Sequence, residues 1–188
     1  MIKLTPQQFC AQWTNSRGYS TLPSKLESNI LNFAISAGKY SKSCFEASFT
    51  NQSFYGSGNP WAPRESRWGK KRTHPLLMET GHLLSKIEGE HSINQNKGKK
   101  ANGERFKRNS ASYTIFTLEE SQRLAKRSSK KHIGYAAIHN TDPKLHNFYT
   151  NGARKRKPVQ RQFIGISPSI ESYIHANFLP IIFEGFPQ

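Results

Sequence analysis

The sequence predicts an α+β fold in which long amphipathic helices pack on a small antiparallel sheet and are joined by long basic loops. Three observations indicate this class. One long stretch repeats apolar residues at spacings of three and four, short runs further on are rich in β-branched and aromatic residues, and two polar segments are rich in lysine and arginine. The chain has 188 residues, which is enough for one core and short for two.

We therefore expect a single domain over residues 1–188. Segments with a regular apolar period are assigned to its interior, and segments without one to its periphery. This assignment gives an N-terminal extension at 1–20, long loops at 50–75 and 89–110, and a core formed by about 22–49, 76–88 and 111–183.

Capping patterns and apolar periodicity predict four helices. In Thr5-Pro6-Gln7-Gln8, a threonine cap, a first-turn proline and a glutamine occupy the positions that favour a helix start. The longest apolar period runs from Leu22 to Cys44, beside a second capping pattern that begins at Ser24. The predicted helices cover residues 5–13, 22–44, 117–129 and 167–178, the last of them ending at Pro180.

Three short runs predict strands. Residues 112–116 and 163–166 have the β-branched and aromatic content of strands, and residues 132–139 enclose an unbroken run of small and apolar side chains. Residues 89–109 instead carry six lysine or arginine residues among glycine and asparagine, with no apolar period. We expect this segment to be mobile, or ordered only by a partner.

The charge is strongly positive. Lysine and arginine number 28 and aspartate and glutamate 12, so the formal net charge is +16. Such a charge favours an acidic partner, and clustered basic side chains can neutralise nucleic-acid phosphates. The candidate residues for facing DNA are Lys97, Lys99, Lys100, Arg154, Lys155, Arg156 and Lys157.

Catalysis finds little support in the sequence. His132, His139 and His146 are spaced seven apart near Asp142 and Asn140, which suggests a metal-dependent nuclease in which a histidine activates water and the asparagine orients it. A strand followed by a loop would not gather these side chains. The two cysteines match no zinc or redox spacing, and no nucleotide-binding loop or hydrolase elbow occurs. We expect no catalytic residues, no metal and no cofactor. The chain also has no run of the ~18 apolar residues that a membrane span needs, so no membrane contact is expected.

Four short motifs follow one another along the chain. They are Trp61-Ala62-Pro63, Leu76-Leu77-Met78-Glu79-Thr80-Gly81-His82-Leu83, Tyr135-Ala136-Ala137-Ile138-His139-Asn140 and Arg161-Gln162-Phe163-Ile164-Gly165. In order and approximate spacing they resemble the phage virion morphogenesis (tail completion) family of Mu-like phages and prophages. The resemblance covers roughly residues 22–178.

This resemblance implies a non-enzymatic structural protein that acts in tail completion and head–tail joining by assembling into a ring. The implied partners are other head or tail proteins of the virion, further copies of the chain and, without sequence preference, phage DNA. The implied location is the host bacterial cytoplasm during assembly and then the neck or tail of the virion. The motif residues expected to act in packing or at interfaces are Trp61, Pro63, Leu77, Thr80, Gly81, Leu83, Tyr135, Ala136, Ala137, His139, Arg161, Phe163 and Gly165.

An alternative from a different class stays open. The basic segments would equally suit a sequence-nonspecific nucleic-acid-binding protein with no role in a virion. A discrete oligomer that ignores DNA favours the structural hypothesis, whereas a monomer that binds duplex with a steep salt dependence favours the alternative.

Overall fold

The computed structural model describes residues 5, 8, 11, 13, 21–65, 67–99, 101, 105–118, 135–142, 144 and 159–185. Helices and a two-stranded antiparallel sheet make up the regular structure of this part, which confirms the α+β class. The elements are α1 (Leu22–Asn51), α2 (Arg67–Lys70), a 3₁₀ turn (Leu84–Lys86), β1 (Ile87–Lys99), β2 (Arg105–Thr117), α3 (Tyr135–Asn140), α4 (Pro168–Asn177) and a 3₁₀ turn (Leu179–Phe183).

Helix α1 is the long helix that the apolar period predicts; it begins at Leu22 as expected and continues beyond Cys44 to Asn51, 30 residues in all. The Ser24 hydroxyl donates to the carbonyl of Thr21 at 2.8 Å within the first turn. At its end Gln52 adopts a left-handed φ of 53°, and the amide of Ser53 donates to the carbonyl of Ser48 at 3.2 Å. This closing pattern usually uses glycine. The prediction ended the helix at Cys44, the last residue of the apolar period on which it relied, and was therefore too short at this end.

The capping pattern at the N-terminus is confirmed. The amide of Thr5 donates to Gln8 Oε1 at 2.8 Å, and the amide of Gln8 donates to Thr5 Oγ1 at 3.2 Å. Each side chain thus satisfies a main-chain donor of the other residue, as in a capping box. Gln8 and Ala11 are both helical.

The basic segment 89–110 is mostly a β-hairpin, so its prediction as a loop is wrong. Strands β1 and β2 cover 13 residues each and pair with one another. Ser92 Oγ lies 2.8 Å from Ser112 Oγ, and Ser110 Oγ donates to the carbonyl of Asn94 at 3.5 Å, which fits one antiparallel register. The prediction relied on apolar periodicity, but main-chain groups of a ribbon can pair whatever their side chains are. The strand predicted at 112–116 is confirmed as part of β2.

Two predicted strands are also wrong. Residues Tyr135–Asn140 form helix α3, because a short run of small and apolar side chains is compatible with either structure. Residues 163–166 are irregular rather than extended in a sheet. The last helix is confirmed as α4, although Pro180 lies inside the 3₁₀ turn that follows it. The helix predicted at 117–129 lies outside the described residues from position 119 onward.

The chain divides into two compact units, and the prediction of a single domain stays a prediction. Unit 1 consists of residues 1–38, 90–114 and 173–188, and unit 2 of residues 39–89 and 115–172. In unit 1 the buried Asn29 donates through Nδ2 to the carbonyls of Ile182 and Glu184 at 3.0 and 2.9 Å. The core of unit 2 contains Phe49, Trp61, Leu77, Leu83, Ile87, Ala136 and Phe163. None of the described helices is long and apolar enough to cross a membrane.

Candidate functional site

The four motifs meet in unit 2, around the ring of Phe49. Trp61 packs edge-on against this ring with a centroid distance of 5.6 Å, and Phe163 packs on it at 5.1 Å. Trp61 Nε1 also donates to the carbonyl of Gln162 at 2.9 Å. Because aromatic pairs and a satisfied indole both favour burial, these contacts fix the first motif against the fourth.

Arg161 is a buried cation, with 8% of its surface exposed. Its Nε and Nη2 atoms donate to the carbonyl of Ala62 at 3.1 and 2.9 Å, and Nη2 approaches the carbonyl of Pro63 at 3.3 Å. Its amide donates to the carbonyl of His139 at 2.8 Å. A buried charge is costly unless hydrogen bonds satisfy it, so Arg161 ties three of the motifs together through their main chains.

Asn140 holds the irregular segment that follows Arg161. Its Oδ1 accepts hydrogen bonds from the amides of Phe163 and Ile164, both at 2.9 Å, and its Nδ2 donates to the carbonyl of Ile164 at 2.9 Å. One amide side chain therefore replaces the strand pairing that the sequence predicts at 163–166. In the nuclease hypothesis Asn140 would orient water, whereas here it serves the main chain.

The second motif forms a turn held by Gln52 from the end of α1. Gln52 Oε1 accepts from the amide of Leu76 at 2.6 Å, and its Nε2 donates to the carbonyl of Leu76 at 3.2 Å. Leu77 is buried with a left-handed φ of 61°, a costly conformation for a side chain of this size. Gly81, with φ of 68°, lets the backbone turn within the second motif.

A polar cavity of about 230 Å³ lies beside this packing. The second, third and fourth motifs contribute to its wall, and basic side chains from the segment after Pro63 complete it. Its lining residues are Arg64, Gly69, Arg72, His74, Leu76, Leu77, Glu79, His139 and Arg161.

His74 is held in this cavity by Arg64. Arg64 Nη1 donates to the carbonyl of His74 at 2.9 Å, and Nη2 lies 3.0 Å from His74 Nδ1 and 2.9 Å from the carbonyl of Pro75. Nδ1 also lies 2.9 Å from the carbonyl oxygen of Pro75, which can only accept, so Nδ1 either accepts from Arg64 or donates to Pro75, and in the neutral ring Nε2 takes the opposite role. That buried Nε2 has no hydrogen-bond partner among the described residues, and Glu79 Oε2 lies 3.9 Å from it.

Glu79 forms an ion pair with Arg72 in the cavity wall. Its Oε1 contacts Arg72 Nη1 at 2.5 Å, and the two side chains are 55% and 58% exposed, respectively. Because solvent screens such a pair, it contributes little to stability. It does place a carboxylate beside a guanidinium where the cavity wall is most exposed.

The remaining predicted site residues have mixed outcomes. Ala136 and Leu83 are buried, Thr80 accepts the amide of His82 at 3.3 Å, and His139 lines the cavity. Tyr135 and Ala137 lie on α3, and an added Cβ at Gly165 would meet the Gln162 side chain.

The residues expected to face DNA are only partly described. Lys97 and Lys99 lie on β1, whereas Lys100 and Arg154 to Lys157 lie outside the described residues. The same holds for His132 and His146 of the nuclease hypothesis. Across the described part of the chain, no group of three or more histidine, cysteine, aspartate or glutamate residues could hold a metal ion.

Four residues of the cavity were not predicted as site residues from the sequence, namely Arg64, Arg72, His74 and Glu79. Arg64 and His74 are ten residues apart, and Arg161 joins them from a distant part of the chain. The mixture of arginine and tryptophan between positions 61 and 72 was the one available signal, and it indicated a basic loop without showing a cavity.

Comparison with known proteins identifies no relative. No family model, curated protein or solved structure matches the chain.

Proposed function

We propose that this protein is a phage virion morphogenesis protein that acts in tail completion and head–tail joining. The observation that carries the proposal is the meeting of the four motifs in unit 2. They are spread over about a hundred residues of sequence, yet Trp61 binds the main chain at Gln162 and Arg161 binds it at Ala62. This contact supports the proposal, because a shared family fold would bring the same motifs together.

The roles of these residues suit a structural protein. Phe49, Trp61 and Phe163 supply apolar packing, while Arg161 and Asn140 bind main-chain groups. A scaffold that passes force or position to its neighbours needs such a rigid interior. We therefore propose a non-enzymatic role.

Assembly into a ring is part of the proposal. Ile166, which directly follows the fourth motif, is 80% exposed, and Phe183 is 61% exposed. Burying such side chains against another copy of the chain would remove apolar surface from water, which favours assembly. The proposed partners are further copies of the chain and the head or tail proteins of the virion, first in the host bacterial cytoplasm and then in the neck or tail.

The test of assembly is size-exclusion chromatography with light scattering, at low and high salt and with and without duplex DNA. A discrete closed oligomer that persists in high salt and ignores DNA is expected. A chain that stays monomeric at all concentrations would contradict the ring.

The test of the biological role is deletion of the gene from the phage or prophage that encodes it. Electron microscopy should then show filled heads and finished tails that remain unjoined, and complementation should restore joined particles. Normal particles after deletion would contradict the proposal.

The net charge of +16 favours a second candidate, a sequence-nonspecific nucleic-acid-binding protein. It would release counterions from DNA, so the logarithm of its affinity should fall linearly and steeply with the logarithm of the salt concentration. A monomer with this behaviour supports the second candidate over the first.

A further inference from the structure

We infer that the polar cavity of unit 2 is a binding site for a phosphate group, either free phosphate or a phosphodiester of a nucleic-acid backbone. This inference does not depend on the proposed function, because it concerns the chemistry of one cavity. Its lining includes the side chains Arg64, Arg72, His74 and Arg161.

The lining of the cavity is positively charged. The described lining has three arginines and one glutamate, so its formal charge is 3 − 1 = +2 with both histidines neutral. Leu76 and Leu77 form an apolar part of the wall, which lowers the local dielectric and strengthens the field inside the cavity. Guanidinium groups also match the geometry of phosphate oxygens.

A buried ring nitrogen in the cavity lacks a partner. His74 Nε2 has no hydrogen-bond partner among the described residues, and it carries the ring proton when Nδ1 accepts from Arg64. The 3.9 Å to Glu79 Oε2 is too long for a hydrogen bond. Buried polar atoms are normally satisfied, so a partner is missing here. A phosphate oxygen would accept a hydrogen bond from the protonated Nε2, and its negative charge suits the neighbouring arginines.

A carboxylate of the lining competes with a bound anion for Arg72. Glu79 pairs with Arg72 at the exposed part of the wall, where it partly neutralises the cavity. A bound phosphate would take over Arg72 and would be repelled by Glu79. The cavity of about 230 Å³ is far larger than the ~10–15 Å³ that one water requires, so it admits a small polyatomic anion.

The test compares opposite substitutions in one ion pair. Arg72→Gln and Glu79→Gln both break the same exposed contact, so a purely structural effect would move both variants in the same direction. A phosphate site instead predicts weaker binding in Arg72→Gln and tighter binding in Glu79→Gln. Binding is measured with orthophosphate by titration calorimetry and by the rise in melting temperature, with chloride at equal ionic strength as the reference.

We expect Arg72→Gln and His74→Gln to weaken orthophosphate binding by about tenfold or more each, which corresponds to about 1.4 kcal/mol. The matched controls are Arg67→Gln and His82→Gln, which change exposed side chains of the same types outside the cavity lining and should leave binding unchanged. Because Arg72 and Glu79 are more than half exposed, their variants keep the test decisive if His74→Gln fails to fold.

A second arm identifies the source of the phosphate. If orthophosphate displaces a short duplex, and Arg72→Gln weakens the binding of both ligands, then the site takes backbone phosphates. If orthophosphate binds and the duplex does not compete, then the site takes free phosphate. The inference is overturned if orthophosphate up to about 50 mM stabilises the wild-type chain no more than chloride does, or if Arg72→Gln and Glu79→Gln shift binding in the same direction.

Discussion

Replacing Asn140 by alanine tests how the segment after Arg161 is held. The Asn140 side chain makes three hydrogen bonds to the main chain of Phe163 and Ile164, each at 2.9 Å. No strand pairing supports these main-chain groups in the described structure. The substitution would leave the amides of Phe163 and Ile164 without their acceptor, and it would remove one of the two donors of the Ile164 carbonyl, the other being Gln162 Nε2 at 3.4 Å.

The expected loss follows from this count. A net contribution of about 1 kcal/mol for each hydrogen bond gives about 3 kcal/mol for Asn140→Ala. With a urea dependence of about 2 kcal/mol per molar, the unfolding midpoint should fall by about 1.5 M.

The measurement is urea unfolding followed by circular dichroism and by tryptophan fluorescence, because Trp61 lies in the same core. The matched control is Asn177→Ala, which removes a single exposed hydrogen bond to the carbonyl of Tyr173 at 2.9 Å and should cost less than about 0.5 kcal/mol. Equal midpoints for the two variants would refute the argument that Asn140 organises unit 2.

Three further predictions concern packing and pH. Phe163→Ala should lower the free energy of unfolding by about 3–5 kcal/mol, because this fully buried ring packs on Phe49; an unchanged denaturation midpoint would contradict its burial. Gly38→Ala should cost about 1–3 kcal/mol, because the added Cβ would collide with the base of the Tyr113 side chain; a melting temperature equal to wild type would show that Tyr113 moves freely. Burial, together with hydrogen bonds to Tyr55 and Cys44, raises the pKa of Tyr40 above its ordinary value, so its contribution to stability is complete below about pH 10 and is lost as the pH rises further. Tyr40→Phe should therefore flatten the alkaline loss of stability in unfolding titrations, and an identical pH slope would refute this assignment.

Local signals in the sequence were sufficient for α1, for α4 and for the helix start at Thr5. The capping pair of Thr5 and Gln8, the apolar period of α1 and the Ser-Pro start of α4 all depend on residues a few positions apart. Such contacts form in the same way wherever the segment lies in the fold. The α+β class follows from these elements together with the β-branched run that became part of β2.

The hairpin could not be predicted from local signals. Residues 89–110 contain no apolar alternation to indicate strands, and their main-chain pairing depends on the opposite strand rather than on their own side chains. Likewise the run Tyr135–Asn140 suits a strand or a helix equally well by composition. The surroundings decided both cases.

The sequence by itself determined the composition, the charge of +16, the class of fold and the positions of the motifs. Only the tertiary structure decided what the motif residues do. Arg161 reaches carbonyls 98 and 99 positions away, and Asn140 binds a segment 23 and 24 positions away. The polar cavity likewise combines Arg64 and His74 with Arg161. Partners at such separations leave no periodic trace in the sequence, because any spacing is allowed once the chain between them can close the loop.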